Sequence, residues 1–176
     1  MSRRRSWLVS SGENKVFFES LFRRLQERKV DYLVVGGVAV VLHGAVRMTA
    51  DLDLMVALNE KNLLDFVAVM KEAGFRPRVP VPAEAFASAE NRRGWLSENG
   101  MQVFSFYHPE EMISLVDVFV HEPLPYDELR KAAAVKHVDD VAIPVASKVD
   151  LIRLKKIAGR PQDIEDIKAL EALDEE

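Results

Sequence analysis

The chain has 176 residues and a mass of 19.9 kDa, with 48% hydrophobic and 30% charged residues. This length and apolar content suit one compact domain and exclude a disordered or collagen-like polymer. No apolar stretch approaches the roughly 20 residues of a membrane span, and no apolar run follows the charged start, so we expect neither a membrane protein nor a secreted one. The absence of cysteine excludes a disulfide framework, a thiolate zinc site and a cysteine nucleophile, and it fits a cytoplasmic protein.

The charge balance is mildly acidic. Lys and Arg total 24 against 28 Asp and Glu, which gives a net charge of −4 and an isoelectric point near 5.7. Proteins that bind nucleic acid without sequence preference are usually basic, because their affinity comes from neutralising phosphates. A nucleic-acid partner is therefore predicted only through a local basic patch.

The predicted helices and strands alternate along the chain, without a repeat or a low-complexity linker. Residues 1–12 are predicted to be a mobile segment and residues 13–176 a single domain. Apolar residues at helical spacing predict helices, and short β-branched runs predict strands. The predicted helices cover 14–29, 38–42, 59–74, 83–89, 126–134, 148–158 and 162–173, and the predicted strands cover 31–35, 52–58, 102–107, 114–120 and 138–145. This order predicts a mixed α and β fold.

Three aspartates in predicted strands form the first part of a candidate site. Asp51 and Asp53 are two residues apart, so both carboxylates point to one face of a strand. Asp117 is the only charged residue in the apolar strand 114–120. If the two strands are neighbours, three carboxylates converge, and oxygen ligands of this kind bind hard divalent ions such as Mg²⁺. A pair of such ions activates an attacking hydroxyl and stabilises the leaving oxygens of phosphoryl transfer.

A glycine pair forms the second part of the candidate site. Gly36 and Gly37 follow the first predicted strand and precede a predicted helix. Without side chains, the backbone there can approach a phosphate closely, and the free N–H groups at the start of a helix favour anions. Each feature alone also fits a simpler role: a tight turn for the glycines, a solvated turn or cap for Asp51 and Asp53, and an edge position for Asp117. Together they predict phosphoryl or nucleotidyl transfer.

The set of motifs resembles a known superfamily. Gly36-Gly37, thirteen residues, Asp51-x-Asp53 and a later strand aspartate at Asp117 resemble the pattern of DNA polymerase beta-like nucleotidyltransferases. More narrowly, segments 47–53 (RMTADLD), 147–155 (SKVDLIRLK) and 158–166 (AGRPQDIED) resemble the AbiEii-like toxin-type nucleotidyltransferases of abortive-infection and toxin-antitoxin systems. The resemblance covers about residues 30 to 170.

The resemblance implies a minimal nucleotidyltransferase domain, with a mixed twisted β-sheet flanked by helices. It implies two Mg²⁺ ions, with Mn²⁺ as an alternative, both held by Asp51 and Asp53. Asp117 would bind the catalytic ion and help to deprotonate the acceptor, and Gly36 and Gly37 would hold the triphosphate. Many members have serine at the position of Gly37, so here the backbone amides would hold the phosphates without a hydroxyl.

Two cations complete the predicted nucleotide site. Lys155 lies within the apolar stripe of helix 148–158, and an inward lysine usually has an anionic partner. The predicted partner is the triphosphate; the alternatives are a snorkelling lysine or an ion pair with Asp163 or Asp166. Arg47 could contact a phosphate or simply balance the charge of the aspartates. The last two aspartates are predicted to serve the first turn of helix 162–173 rather than catalysis.

The predicted function is therefore transfer of a nucleoside monophosphate from an NTP to an acceptor hydroxyl. The resemblance favours an RNA end, particularly of tRNA, with protein hydroxyls and small molecules such as aminoglycosides as alternatives. It also implies a partner in a toxin-antitoxin pair, with the role of the chain as toxin or antitoxin left open. The alternative function is a noncatalytic module that binds a nucleotide or a partner protein, although such a module has no need for three converging carboxylates.

Overall fold

The computed structural model describes residues 12–111 and 115–173, in which a seven-stranded mixed sheet is flanked by helices. The strands are β1 (Tyr32–Val35), β2 (Leu52–Val56), β3 (Arg76–Pro77), β4 (Val103–Tyr107), β5 (Leu115–Phe119), β6 (Ala134–Val138) and β7 (Val141–Val145). The helices are α1 (Gly12–Glu27), α2 (Gly36–Leu42), α3 (Glu60–Glu72), α4 (Ala89–Asn99), α5 (Tyr126–Ala132), α6 (Lys148–Ala158) and α7 (Pro161–Ala172), with a 3₁₀ helix at Ala83–Ala87. The predicted mixed α and β fold is confirmed.

The strand order is β3-β4-β5-β2-β1-β7-β6. At the centre, β1 pairs with β2 in antiparallel orientation and with β7 in parallel orientation, while β2 pairs in parallel with β5. The outer strands β4 and β3 continue the sheet in antiparallel orientation beyond β5. The two predicted aspartate-bearing strands, β2 and β5, are therefore direct neighbours.

One face of the sheet carries the main apolar core. The alternate residues Leu52 and Leu54 of β2 are fully buried, as are Phe104 and Phe106 of β4. Helices α1 and α3 contact each other, and the ring of Phe22 in α1 stacks on Tyr32 of β1 at 6.1 Å between centroids. Because successive strand residues point to opposite faces, this burial directs Asp53, Ser105 and Asp117 to the other face.

The second face is covered only in part. Helix α2 follows β1 directly and contacts β2, α6 and α7. Helix α6 begins after Ser147, whose hydroxyl accepts a hydrogen bond from the Asp150 amide at 3.1 Å. Over β4 and β5 the residues of this face remain partly exposed. The sheet is thus closed on this side around β1 and β2 and open over β3 to β5.

Several predicted boundaries differ from the structure. The predicted strand 138–145 contains β7 and only the last residue of β6; the hairpin of the two strands begins at Ala134, and Asp139 adopts a positive φ of 51° at its turn. The predicted helix 83–89 is a 3₁₀ helix, and the following helix α4 was not predicted because its apolar residues lack a clear stripe. Helix α2 begins at Gly36, two residues earlier than expected. The predicted mobile segment lies outside the described residues except for Gly12, and Ser114 of the predicted strand 114–120 also lies outside them.

Among the described residues, no helix is long and apolar enough to cross a membrane.

Candidate functional site

Asp53 and Asp117 lie directly opposite each other in the parallel pairing of β2 with β5. Asp51 precedes β2 by one residue and lies two residues before Asp53. Residues opposite each other on neighbouring strands project from the same face of a sheet, so the pairing brings the Asp53 and Asp117 side chains together. The negative charge of Asp117 raises the pKa values of both Asp51 and Asp53.

The pKa of Asp53 is raised to about 7, first by burial and then by the negative charges of Asp117 and Asp51. Arg160 and Lys155 oppose this rise without overcoming it. No hydrogen bond or ion pair to the Asp53 carboxylate exists among the described residues. This group is therefore held in an environment that disfavours its charge unless a cation approaches.

The pKa of Asp51 is also raised, by burial and by the charge of Asp117, and the Arg78 guanidinium partly opposes the rise. Arg78 directly follows β3, and its amide donates to the carbonyl oxygen of Ser105 at 2.9 Å, so it extends the pairing of β3 with β4 by one residue. The charge of Arg78 therefore acts on Asp51 from the end of β3, on the part of the sheet that the helices leave uncovered.

The Asp117 carboxylate has a hydroxyl partner. Ser105 lies opposite Asp117 in the pairing of β4 with β5, and its Oγ donates to Asp117 Oδ1 at 2.5 Å. This bond fixes one oxygen of the carboxylate, and no described residue bonds Oδ2, which is available to another partner. Ser105 was not predicted, although it is the central polar residue of an otherwise apolar strand, as Asp117 is in β5.

The chemistry of the three carboxylates fits a hard divalent ion, because all their donors are oxygens. However, no group of three or more His, Asp or Glu side chains in residues 12–111 and 115–173 has the arrangement of a formed metal site. Asp53 is turned toward Gly36, and Asp117 toward Ser105. Ion binding therefore requires side-chain rotation, and the unpaired Asp53 carboxylate is the group with most to gain.

The first glycine of the turn lies against Asp53. Gly36 has a φ of 66°, a conformation that side chains with a Cβ rarely adopt, and a Cβ there would lie 2.1 Å from Asp53 Oδ2. Both the backbone conformation and the space thus require glycine. The turn brings the start of α2 next to the carboxylates, as the spacing of the motifs predicted.

The second glycine lies under an arginine. A Cβ on Gly37 would lie 1.6 Å from Arg47 Nη1 and 2.8 Å from Thr49 Oγ1, so the absence of a side chain makes room for the guanidinium. Arg47 Nε lies 3.0 Å from Asp166 Oδ1, at ion-pair distance but without hydrogen-bond geometry. Arg47 Nη1 is buried and has no hydrogen-bond partner. A buried donor without an acceptor is costly, and it points to an acceptor that arrives with a ligand.

Lys155 is buried and bound by two aspartates. Its Nζ lies 2.6 Å from Asp166 Oδ2 and 3.3 Å from Asp163 Oδ1. The structure thus contains the ion pairs that the sequence left as the alternative to a triphosphate ligand. Lys155 also lines a cavity of about 70 Å³ beside Gly36 and Asp53, so its charge remains close to the carboxylates.

The two C-terminal aspartates do more than favour the start of α7. Asp163 accepts from the Arg160 amide at 3.0 Å, as a residue of the first turn should, but it is buried and also bonds the Arg160 guanidinium at 2.9 Å. Burial raises the pKa of Asp163, but the hydrogen bonds from Arg160 outweigh it and hold that pKa below its usual range. Asp166 lies beyond the first turn and pairs with Lys155 and Arg47, so the prediction for it was wrong.

These contacts form one charge network with a buried centre: Lys155, Asp163 and Asp166 are buried, the Arg47 side chain is 22% exposed, and the Arg160 side chain is 72% exposed. Arg160 was not predicted, and its spacing of three residues from Asp163 at the start of a helix was the available indication. The network joins the loop before β2 to α6 and α7. It holds the positive charges of the site in fixed positions around Asp53.

Comparisons with known proteins support the fold. No protein-family model matches the chain, and no curated protein matches its sequence significantly. Among solved structures, the lincosamide antibiotic adenylyltransferase LnuA with bound lincomycin matches with a TM-score of 0.59 and 16% identity, over 93% of this chain and 98% of that one. ANT(2'')-Ia in complex with adenylyl-2''-tobramycin matches with a TM-score of 0.60 and 14% identity, over 93% and 94%.

A third structure, an antigenic nucleotidyltransferase-like protein from Paracoccidioides brasiliensis, matches with a TM-score of 0.61 and 17% identity, over 93% of this chain and 78% of that one. All three matches extend over nearly the whole of this chain. Identities this low establish the arrangement of the chain rather than its chemistry. The chain has the nucleotidyltransferase fold.

Proposed function

We propose that this protein transfers a nucleoside monophosphate from an NTP to an acceptor hydroxyl. The observation that carries the proposal lies at the glycine turn. On one side of the turn, the Asp53 carboxylate is partly buried and unpaired, and on the other side the buried Arg47 Nη1 has no acceptor. A phosphate accompanied by a cation would satisfy both groups, because the phosphate accepts from Arg47 and the cation neutralises Asp53.

The cation we propose is Mg²⁺, with Mn²⁺ as an alternative, held by Asp51, Asp53 and Asp117. When bound, it supplies charge stabilisation for phosphoryl transfer and favours the ionised acceptor hydroxyl. Their oxygen chemistry and the raised pKa of Asp53 support this assignment. Asp53 would bind the ion as a carboxylate, and the proton it holds in the ion-free protein would be released.

The other steps of the proposed reaction are assigned to residues of the chain itself. Gly36 and Gly37 let the backbone approach the triphosphate, and Arg47 Nη1 donates to a phosphate oxygen. The acceptor oxygen forms a bond to the α-phosphorus while the bond to pyrophosphate breaks, so pyrophosphate leaves with its electron pair. Asp117 Oδ2 takes the proton of the acceptor hydroxyl, because Ser105 occupies Oδ1. Lys155 stays paired with its aspartates and adds positive charge beside Asp53.

The acceptor class follows from two lines of support. The motif resemblance favours an RNA end, particularly of tRNA, and a role in a toxin-antitoxin or abortive-infection system with a cognate partner. The fold neighbours include a lincosamide adenylyltransferase and an enzyme crystallised with an adenylylated aminoglycoside, so a small-molecule hydroxyl is the second acceptor class. A protein hydroxyl is the third. We place the reaction in the cytoplasm.

The decisive experiment measures nucleotide binding without an acceptor. Thermal unfolding is recorded for the wild type and Asp53→Asn with each NTP, with and without Mg²⁺. An NTP at about 100 times its Kd should raise the wild-type melting temperature by roughly 5 to 10 °C, since ligands stabilise the state they bind. Asp53→Asn should lose the Mg²⁺-dependent part of this rise, whereas Asp127→Asn, an exposed aspartate on α5, should retain it.

Each outcome has a defined meaning. Stabilisation that depends on Mg²⁺ and Asp53 supports the transferase and justifies a search for acceptors with labelled nucleotide. Stabilisation by NTP that is independent of both Mg²⁺ and Asp53 favours the noncatalytic nucleotide-binding module. The absence of stabilisation by any NTP would contradict the proposed donor site.

A further inference from the structure

The open face of β3 to β5 presents a surface that the proposed chemistry does not yet use. Phe104, Phe106 and Val116 point to the buried face, and the alternate residues of the same strands are partly exposed. Helices α6 and α7 reach the same face beside Asp53, where Leu151 and Lys155 line the small cavity with Gly36. The small cavity at Asp53 and the exposed surface over β3 to β5 therefore lie on the same face of the sheet.

Four polar residues form a row across this face. The strand pairings place Asp53 opposite Asp117 and Asp117 opposite Ser105, and the continued β3–β4 pairing places Arg78 opposite Ser105. Neighbouring strands lie about 4.8 Å apart, so the Cα of Arg78 lies about 10 Å from that of Asp117. Residues opposite each other share a face, which directs Arg78 to the same side as the carboxylates.

Arg78 is free to bind a ligand. Within residues 12–111 and 115–173, its guanidinium has no hydrogen-bond or ion-pair partner, whereas Arg47 and Arg160 are both paired with buried aspartates. Together with Met101, Val103 and Ser105, Arg78 lines a cleft of about 320 Å³. The cleft combines an apolar floor with one cation and one hydroxyl, so it offers an anchor for an anionic group beside apolar surface.

The position of the glycine turn assigns this cleft to the acceptor. Gly36 and Gly37 follow β1, so the NTP phosphates would lie on the β1 side of Asp53. In-line transfer requires the attacking oxygen on the opposite side of the α-phosphorus from pyrophosphate. The acceptor then approaches over β5, β4 and β3, the side of the sheet on which Arg78 lies.

We propose that Arg78 binds a phosphate of the acceptor, so that the acceptor is a phosphate-bearing molecule with a free hydroxyl rather than a cationic one. This inference rests on the proposed function, because the direction of approach depends on the donor site at the glycine turn. An RNA terminus and a sugar phosphate share this chemistry. A cationic acceptor would be repelled by Arg78 at short range.

The test measures acceptor binding with the donor site filled. Fluorescence anisotropy of a short fluorescein-labelled RNA with a free 3′ hydroxyl is recorded in Mg²⁺ with non-hydrolysable analogues of the four NTPs. Arg78→Ala should weaken binding roughly three- to tenfold at low salt and lower the salt dependence by about one phosphate contact. Arg93→Ala is the matched control, because Arg93 is an exposed arginine on α4, whose Trp95 stacks on Phe104 at the opposite face. Arg93→Ala should bind the labelled RNA as tightly as the wild type does.

Two competitors distinguish the sources of the phosphate. Displacement of RNA by ribose 5-phosphate indicates that a sugar phosphate suffices, and no displacement indicates that more of the polymer is needed; either result supports the proposal when Arg78→Ala is impaired. Equal RNA binding by Arg78→Ala and the wild type overturns it, as does a wild type that binds tobramycin in preference to both phosphate probes. Wild-type protein that binds neither phosphate probe also overturns it. The NTP thermal shift reports separately on the donor site, so failure of this inference leaves that result standing.

Discussion

The two halves of the sheet face that carries Asp53 and Asp117 differ in how their charged groups are paired. Around β1 and β2, the charge network pairs Lys155 with two aspartates and places Arg160 beside Asp53. Over β3 to β5, Arg78 has no hydrogen-bond or ion-pair partner among the described residues and acts on Asp51 only through its charge, and Ser105 supplies the one hydrogen bond to Asp117 that the structure describes. In the closed half the charged side chains are bound to one another, and in the open half the exposed Arg78 side chain is available to a ligand. This difference fits a donor site of fixed geometry beside an acceptor site of variable occupancy.

The largest effect should come from breaking the buried centre of the charge network. Lys155→Ala leaves Asp163 and Asp166 without their shared cation in a buried position, so we expect a loss of about 3 to 5 kcal/mol in the free energy of unfolding, measured by urea denaturation. Lys156→Ala, the exposed neighbour on α6, should change it by less than about 0.5 kcal/mol. Arg78→Ala, in the open half, should likewise change the free energy of unfolding by less than about 0.5 kcal/mol. Equal losses for Lys155→Ala and Arg78→Ala would remove the contrast between the halves.

A smaller effect, and one that depends on pH, is expected at Asp53. Its folded-state pKa of about 7 lies above that of the unfolded chain, so the folded protein binds the extra proton, and stability falls as pH rises from about 4 to about 7. Above that range the cost is constant. Asp53→Asn removes the cost of ionising Asp53 in the folded protein. Without Mg²⁺ at pH 8, the free energy of unfolding of the variant should therefore exceed that of the wild type by on the order of 1 to 2 kcal/mol, after allowance for partial exposure. Near pH 4 the two proteins should be equally stable.

Urea denaturation between pH 4 and pH 8 checks this prediction. Saturating Mg²⁺ should reduce the difference at pH 8, because the ion would stabilise the ionised Asp53 of the wild type. A constant difference between the two proteins at every pH would mean that Asp53 does not titrate in this range.

The smallest effect should come from the second glycine. Gly37→Ala pushes its methyl group against Arg47 and Thr49, and because the end of the arginine is flexible, we expect a loss of about 1 kcal/mol. The loss should become smaller in an Arg47→Ala background, since that variant removes the nearer contact and leaves only the one with Thr49. Gly94→Ala is the control: nothing lies within 4 Å of its added Cβ on helix α4, so this variant should gain about 0.5 to 1 kcal/mol. If the losses in the free energy of unfolding are additive in the double variant, the effect of Gly37→Ala does not come from its contact with Arg47.

The sequence was informative where a pattern is local. The strand aspartates and the glycine turn fall where the spacing predicted, because alternation and turn chemistry depend on near neighbours. Local capping accompanies these patterns, since Asn59 and Ser147 each accept a hydrogen bond from an amide in the first turn of the helix that follows. Helix α6 has the predicted bounds for the same reason.

The sequence did not predict which groups the charged side chains bind. Whether Lys155 binds a phosphate or two aspartates depends on how α7 folds back on α6, which local periodicity does not specify. Arg78 and Ser105 enter the site only through the pairings of β3, β4 and β5, whose register is set by long-range packing. The roles proposed for Asp51, Asp53, Asp117, Gly36, Gly37, Arg47 and Lys155 remain predictions.

The alternation along β4 has a consequence for how this protein could change during evolution. Phe104 and Phe106 support the core, while Val103, Ser105 and Tyr107 line the open face and contribute little to it. Ser105 is excepted, because its hydroxyl holds Asp117. Substitutions at Val103 and Tyr107 can reshape the surface that we propose meets the acceptor, at small cost to stability. Under that proposal, new acceptor specificities are accessible by single substitutions at these two positions, without disturbing the residues proposed to handle the nucleotide.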